Sequence, residues 1–596
     1  MIYSSRVSPP LIANLRLIWQ HISQRRRTQF WLLLILMLLT SIAEMFSIGM
    51  VLPFLGVLTA PEHIFKMALA QPLIHAFGIT AAPQLLLPLT ILFCAAACVA
   101  CASRLLLLWA SMRLSFAAGA DLSLNMYYRT LHQPYLTHCL RNSSEVIVSI
   151  SAKANGVIYS VIAPVLTLVS SSFLAIIVLT GIFALEPVIA LGVFGGFALI
   201  YASIIRLTKE RLLRNSQRIA RESTETVKLL QEGLGGIRDV LIDGNQTAYC
   251  DIYSTAVHRL RRAQGNNLFI TGSPRYVMEA LGMILITALA YSLAQQEGGI
   301  AQAMPTLGAL ALGAQRLLPV LQQAYAAWST ILGEQASLRD TLDLLSQPLP
   351  EHVNDSSVNV LPFSQNITLA EVSYRYSPST PYVLNQINLT IAKGARVGFI
   401  GSTGSGKSTL LDLVMGLLDP TEGSLAVDGC RITSANRHAW QAHIAHVPQA
   451  IFLADSSVEE NIAFGIPKDQ IDHSRVREAA RQAQIAHSIE GWPRQYKTFV
   501  GERGIRLSGG QRQRLGIARA LYKQADVIIF DEATSALDGE TEGVVMDAIE
   551  NLNKNVTSLI IAHRVTTLKN CTLIVELSEG CIKRIGTYQD IVSQRA

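Results

Sequence analysis

The stretch Arg396-Val397-Gly398-Phe399-Ile400-Gly401-Ser402-Thr403-Gly404-Ser405-Gly406-Lys407-Ser408-Thr409 passes from a strand-like apolar run into a glycine-rich turn, and then into the helical pattern of Leu410 to Leu418. A phosphate-binding loop needs that order. The glycines let backbone N–H groups close around phosphate oxygens, and the start of the helix adds partial positive charge. Lys407 is placed to reach the β and γ oxygens, and the Ser408 hydroxyl to bind magnesium. The expected ligands are therefore ATP and Mg2+, held by Gly401, Ser402, Thr403, Gly404, Ser405, Gly406, Lys407, Ser408 and Thr409.

Farther along, Val527-Ile528-Ile529-Phe530 reads as a fully apolar strand ending in Asp531 and Glu532. Asp531 is the candidate magnesium ligand, acting through water, and Glu532 the candidate group that polarises the attacking water. Between the two motifs, Leu507-Ser508-Gly509-Gly510-Gln511 opens a basic helical run containing Arg512, Arg514 and Arg519. A Ser-Gly-Gly turn at a helix start presents bare N–H groups and a hydroxyl, and so forms a second phosphate-binding device. One nucleotide has no use for two of them on one face. Short apolar strands alternate with helical stretches from about Asn366 to the C-terminus, which indicates an α/β nucleotide-binding fold.

Upstream the composition changes. Residues 347–365 are polar and contain proline, with Asn354, Asp355, Ser356 and Ser357 in a row, the pattern of a linker. Before residue 335 lie six apolar runs long enough to cross a bilayer: Phe30 to Leu58, Leu85 to Trp109, Val157 to Leu185, Pro187 to Ile205, Tyr276 to Ala294 and Ala301 to Thr330. The expected division is 1–335 for a six-helix transmembrane domain with long cytoplasmic loops, 336–365 for a linker and 366–596 for the nucleotide-binding domain. The third and fourth runs are separated by Glu186 alone, so they should form a hairpin. Residues 206–270 carry eleven Lys or Arg, whereas the connectors at 59–83, 186 and 295–300 contain only Lys66. The N-terminus and both long loops, near 110–156 and 206–275, are therefore expected in the cytoplasm. The connector Pro61 to Ile79 mixes apolar and polar residues as a short interfacial helix does.

Composition agrees with a membrane protein. Across 596 residues only 15% are charged while 50% are hydrophobic, and the mean hydropathy is +0.33. A net charge of +6 is too small on this length to suggest a nucleic-acid partner, and the apolar runs refute a soluble ATPase. Of the eight cysteines, only Cys94, Cys98 and Cys101 cluster, without the spacing that zinc sites use.

With Leu507 to Gln511 matching its signature motif letter for letter, the chain resembles the ATP-binding cassette transporters over nearly its whole length. The resemblance implies that two cassettes sandwich two ATP molecules, each held by the P-loop of one and by the Ser508, Gly509, Gly510 and Gln511 of the other. One copy of each motif implies a dimer, with two identical chains the simpler arrangement. Tyr376 is similar to the aromatic that stacks on adenine, with Tyr374 a rival. Gln449 resembles the glutamine that senses magnesium, Asp538 the D-loop aspartate at the dimer seam, and His563 the switch histidine that contacts the γ-phosphate. Thr498 to Gly504 resembles the loop through which exporters touch their intracellular loops, and Gly236 to Ile242 an exporter coupling helix. With Glu532 and His563 both in place, the resemblance implies ATP hydrolysis coupled to transport.

Ile42 to Phe54 in the first apolar run and Gln315 to Pro319 in the sixth are similar to the bacterial lipid-linked oligosaccharide flippase branch. That likeness implies an anionic polyprenyl-pyrophosphate-linked glycan as cargo, flipped across the bacterial cytoplasmic (inner) membrane. Arg104, Arg275 and Arg316 lie in or beside apolar runs, where a guanidinium fork suits pyrophosphate oxygens, and Glu44 and Glu279 offer salt bridging as the competing explanation. A general lipid or multidrug exporter, and more remotely an ATP-gated channel or regulator, are the alternatives.

Overall fold

A computed structural model describes residues 11–59, 62, 65, 81–185, 187–294, 299–350, 361–532, 543–544, 555–562 and 565–592. The chain divides into two compact units, residues 1–132 with 141–348, and residues 133–140 with 349–596.

The first unit is helical. Its helices are α1 (Leu11–His21), α2 (Gln24–Gly49), α3 (Val51–Thr59) and α4 (Leu86–Leu131). The chain then forms α5 (Tyr135–Leu140), which belongs to the second unit, and returns with α6 (Ser143–Val148). Next come α7 (Ala163–Leu185), α8 (Pro187–Gly235), α9 (Ile237–Ile242), α10 (Gln246–Ala294), α11 (Gly299–Gly333) and α12 (Gln335–Leu345). All six apolar runs are thus helical. Among the described residues, the segments Gln24–Gly49, Leu86–Leu131 and Ser143–Thr180 are each long and apolar enough to cross a membrane. α4, α8 and α10 continue well past the ends of their apolar stretches, as polar helical spacing in both long loops predicts. The interfacial segment expected at Pro61 to Ile79 and the reversal at Glu186 lie outside the described residues.

Within this unit α2 packs on α4 and α7, α7 on α11, and α8 on α10. Leu33 and Met37 of α2 meet Leu122 and Met126 of α4 and Val161 in one buried cluster, which extends to Leu338 and Leu345 of α12. Residues 336–345, which the expected division assigns to the linker, are helical and part of this core. Leu338, Leu342 and Leu345 recur at helical spacing and are buried, while the charges lie between them.

The second unit is built on two sheets. An antiparallel one has the order β2-β1-β4-β5, with β1 (Asn366–Tyr374), β2 (Leu384–Ala392), β4 (Glu422–Val427) and β5 (Cys430–Arg431). The larger one has the order β10-β9-β3-β8-β7-β6. Its strands β3 (Arg396–Ile400), β6 (Ile444–Val447), β7 (Val527–Asp531), β8 (Thr557–Ile561) and β9 (Leu573–Ser578) run parallel, and β10 (Cys581–Gly586) closes one edge antiparallel. Parallel strands covered on both faces read as continuous apolar runs, and Val527 to Phe530 of β7 are all apolar and buried. Alternate residues serve two cores. Val527, Ile529 and Leu559 face the cluster shared with the antiparallel sheet and α13 (Lys407–Val414), while Ile528, Phe530 and Ile560 face the helices, among them α14 (Gly509–Lys523). Trp440, fully buried, joins the first of these cores and donates its indole N–H to the Val414 carbonyl at 2.8 Å.

Candidate functional site

The P-loop lies where β3 ends and α13 begins, at the carboxyl edge of the parallel sheet where such folds bind ligands. Two glycines are there by steric necessity. Gly406 has φ +96°, and a Cβ on it would stand 2.7 Å from Leu384 Cδ2 and 3.1 Å from the Val383 carbonyl oxygen. A Cβ on Gly401 would stand 2.3 Å from the Leu577 carbonyl oxygen. Lys407 Nζ donates to the Gly401 and Ser402 carbonyls, both at 2.9 Å, so the loop's own oxygens hold its charge. Burial pushes the Lys407 ammonium below its ordinary pKa, against the pull of Glu532 and Asp531.

Ser405 Oγ is buried and finds no hydrogen-bond partner among the described residues, an orphaned polar atom inside a loop shaped for phosphate. Ser408 is exposed at the helix start. Asp531 terminates β7, and Glu532 follows at φ +50°, a left-handed conformation that non-glycine residues adopt only under constraint. Burial first, and the neighbouring Glu532 second, raise the Asp531 carboxyl above its usual range, with Lys407 opposing. Gln449 Nε2 donates to Glu532 Oε2 at 2.6 Å, which joins the second residue after β6 to the first after β7. Hydroxyl, amide and a half-buried carboxylate beside one lysine make an oxygen-donor set suited to a hard divalent cation, so Ser408, Gln449 and Asp531 fit Mg2+.

At the other end of the loop, Tyr376 OH lies 3.1 Å from Thr409 Oγ1. Tyr374 stands edge-on to Tyr376, ring centres 5.1 Å apart. Tyr374 is 3% exposed whereas Tyr376 is 40% exposed, so of the two rivals only Tyr376 has a face free for a base. Two positions without a sequence motif lie at this end too. Tyr135 of α5 bonds the Cys139 thiol one turn on, and that bond, burial and the nearby Asp412 push its hydroxyl up to about 12. Leu136 packs against the same core as Tyr374. Pro134 ahead of a short helical segment is the one sequence cue to α5. Burial, with Asp531 adding to it, lifts Asp412 to about 6.

The signature residues start α14. Ser508 Oγ accepts from Gln511 N at 3.2 Å, and Gln511 Oε1 accepts from Ser508 N at 3.0 Å, a reciprocal cap. Arg519 of the same helix turns inward. Its guanidinium donates to the carbonyls of Asn461 at 2.9 Å and Phe452 at 3.0 Å, and burial lowers its pKa to about 10. Asp538 and His563 lie outside the described residues.

Residues 384–535 match the protein family described as ABC transporter. A Cupriavidus metallidurans protein named ATP-dependent lipid A-core flippase is 30% identical over 486 residues, which cover 79% of each chain. This chain belongs to the ABC transporter family. A Saccharophagus degradans protein of the same name is 38% identical over 275 residues, 46% of this chain and 44% of its own, so that alignment spans less than half of the relative. Among solved structures, a bacterial Atm1-family ABC exporter with ATP bound matches with a TM-score of 0.77 at 22% identity, covering 96% of both chains. The fold is that of an exporter half-transporter, a helical transmembrane domain followed by an α/β nucleotide-binding domain. The transporter is thus a multi-pass membrane protein whose second unit binds ATP.

In the transporter's membrane unit, Arg104 Nε lies 2.5 Å from Glu44 Oε1, and Glu44 is buried. The pair lines two adjoining cavities of about 180 and 420 Å³, together with Gln323 and, in the smaller one, Thr40, Ser41 and Ser171. Arg275 Nε bonds Glu279 Oε1 at 2.8 Å, one helical turn on. Two of the three intramembrane arginines are thus paired with the two glutamates, while the side chain of Arg316 lies outside the described residues. The cysteines of the 94–101 cluster are free and exposed, and among the described residues no group of His, Cys, Asp and Glu forms a metal site.

Proposed function

We propose that two copies of this chain form an ATP-driven flippase of the bacterial inner membrane that moves a lipid-linked anionic glycan, a polyprenyl-pyrophosphate-linked oligosaccharide, out of the cytoplasmic leaflet. The observation that carries the hydrolytic part is the 2.6 Å bond between Gln449 and Glu532 beside Asp531 and the buried Lys407. It fixes the Glu532 carboxylate at the end of β7 near the P-loop lysine, which supports reading Glu532 as the group that polarises the attacking water. Glu532 polarises that water, Lys407 and the loop N–H groups take the charge that spreads over the phosphoryl oxygens, and the leaving group is ADP. Bound magnesium, held by Ser408, Gln449 and Asp531, would neutralise phosphate charge. Ser508, Gly509 and Gly510 of the partner would close the far side, with Asp538 at the seam and His563 on the γ-phosphate, and Tyr376 would stack on adenine.

The lipid assignment draws on the flippase names of the relatives and on the charged cavity lining in α2 and α4. Reconstitution in liposomes with labelled lipid-linked sugars, phospholipids and dyes tests it: ATP-dependent crossing of the glycolipid alone is expected, and crossing of dyes alone overturns it. Arg316→Ala should impair transport more than basal ATPase. A general lipid or multidrug exporter is the second reading, favoured by the Arg104–Glu44 and Arg275–Glu279 pairs, which leave less positive charge for a pyrophosphate.

A further inference from the structure

On the membrane unit, α2 and α4 enclose an open groove of about 940 Å³ near their basic ends. Its wall is apolar, formed by Leu32, Leu33 and Leu36 of α2 and by Trp109 and Phe116 of α4. Its mouth is cationic. Arg113 lies there with its guanidinium 5.9 Å from the centre of the Trp109 ring, and among the described residues it forms no ion pair. Arg26 lies there too, bonded to Asp121 at 2.9 Å and to Gln29 at 3.1 Å. Arg27 is turned away, its guanidinium donating to the Trp19, Gln20 and Ile22 carbonyls, so two guanidiniums, those of Arg113 and Arg26, stand at the mouth with one carboxylate, Asp121.

We propose that this groove is a docking site for an anionic glycerophospholipid of the cytoplasmic leaflet, its phosphate at Arg113 and Arg26 and an acyl chain along the leucines. The argument is charge complementarity at the correct depth. Basic residues place this part of α2 and α4 at the cytoplasmic interface, where phosphates lie, and Trp109 is an aromatic side chain that favours that level. Leu32 is 62% exposed, an apolar surface that lipid tails would cover. A second copy of the chain meeting the same face by two-fold symmetry would bring Arg113 and Arg26 against their own copies, which like-charge repulsion opposes. The cargo is the other competitor. On α4, however, Arg104 and Ser111 of the polar cavity lie about half a turn around the helix from Trp109 and Arg113, so although Met112 lines both, the charged groups of cavity and groove point different ways. The site stands whichever lipid the transporter carries.

The test is native mass spectrometry of the purified dimer titrated with phosphatidylglycerol, with phosphatidylcholine of the same chains, and with a polyprenyl pyrophosphate. Wild type should retain phosphatidylglycerol in preference to phosphatidylcholine. Arg113→Gln should weaken that retention about fivefold, the effect of one basic side chain at an anionic surface, and Arg113→Lys should restore most of it. Basal ATPase in detergent should stay at the wild-type level in both. Should Arg113→Gln not assemble, Gln29→Glu, which puts an anion at the mouth, carries the same expectation. Equal binding of the two phospholipids, retention unchanged in the variants, displacement of phosphatidylglycerol by substoichiometric polyprenyl pyrophosphate, or loss of dimer with lipid binding intact would each overturn the proposal. Failure of glycolipid transport in liposomes bears on the cargo and leaves this result untouched.

Discussion

Replacing Glu532 by Gln separates what that carboxylate does for chemistry from what it does for structure. The amide is isosteric, and its oxygen can still accept from Gln449 Nε2, now 2.6 Å from Glu532 Oε2. Trading a charge-assisted bond for a neutral one weakens it by about 1 kcal/mol, and the strain of φ +50° is common to both proteins. The fold should therefore persist. Metal binding should persist as well, because Glu532 raises the Asp531 carboxyl, and its removal makes Asp531 easier to ionise. What is lost is a base in reach of water, typically worth roughly 100- to 10,000-fold in rate. The expected outcome is ATP affinity within about threefold of wild type, on the scale of that single weakened bond, together with turnover reduced at least about 100-fold. Phosphate release and binding of a fluorescent ATP analogue to the purified dimer measure both. Turnover near the wild-type rate would refute the catalytic role, and lost ATP binding would show that Glu532 serves to build the pocket.

Trp440→Phe removes the donor to the Val414 carbonyl and leaves space beside the α13 helix, so the nucleotide-binding unit should lose about 2 to 3 kcal/mol in denaturant unfolding; a loss below about 0.5 kcal/mol would mean that the core closes over the gap. Gly406→Ala, whose Cβ would meet Leu384 and the Val383 carbonyl, should abolish ATP binding while the transporter still inserts and dimerises, and normal nucleotide affinity would contradict the assigned loop geometry. Burial raises the Glu334 carboxyl, with Ser337 and Lys153 opposing. The protonated form is therefore favoured on folding, and its stabilisation is present below the unfolded pKa and lost as pH rises through the folded one. Glu334→Gln should raise the melting temperature at pH 8 and change it little at low pH; a reversed trend would show that Lys153 governs the site. Desolvation alone would raise Asp428, yet the backbone N–H groups of Asn366, Ser364 and Gln365 and the Ser364 hydroxyl hold it at about 2. Its stabilisation is present above the unfolded value near 4 and lost as pH falls toward 2. Because the group is partly solvated, Asp428→Asn should cost only about 1 kcal/mol at pH 7, read as faster hydrogen exchange at residues 364–366.

How much of this was legible in the sequence depends on how far apart the interacting residues lie along the chain. The P-loop could be read because its function is local: backbone N–H groups, one lysine and one hydroxyl within nine residues, framed by an apolar strand and an apolar helix. β7 could be read for the same reason, since burial on both faces leaves the unbroken apolar run Val527 to Phe530. The choice between Tyr374 and Tyr376 could not, because it depends on where β1 ends: Tyr374 still pairs with Leu384 and points into the core, whereas Tyr376 has left the strand. The arginines divide in the same way. Arg275 and Glu279 are one turn apart on a single helix, so their bond follows from spacing. Arg104 reaches Glu44 across 60 residues of chain, and Arg519 reaches Phe452 and Asn461 across 67 and 58, so both depend on which helix or loop packs beside which. A basic helical face that looks solvated in the sequence can thus end with a guanidinium buried on carbonyl oxygens. Charged residues are the ones whose meaning sequence leaves most open, since a guanidinium unsatisfied along its own helix will take whatever acceptor packing brings, whether carboxylate, carbonyl or lipid phosphate.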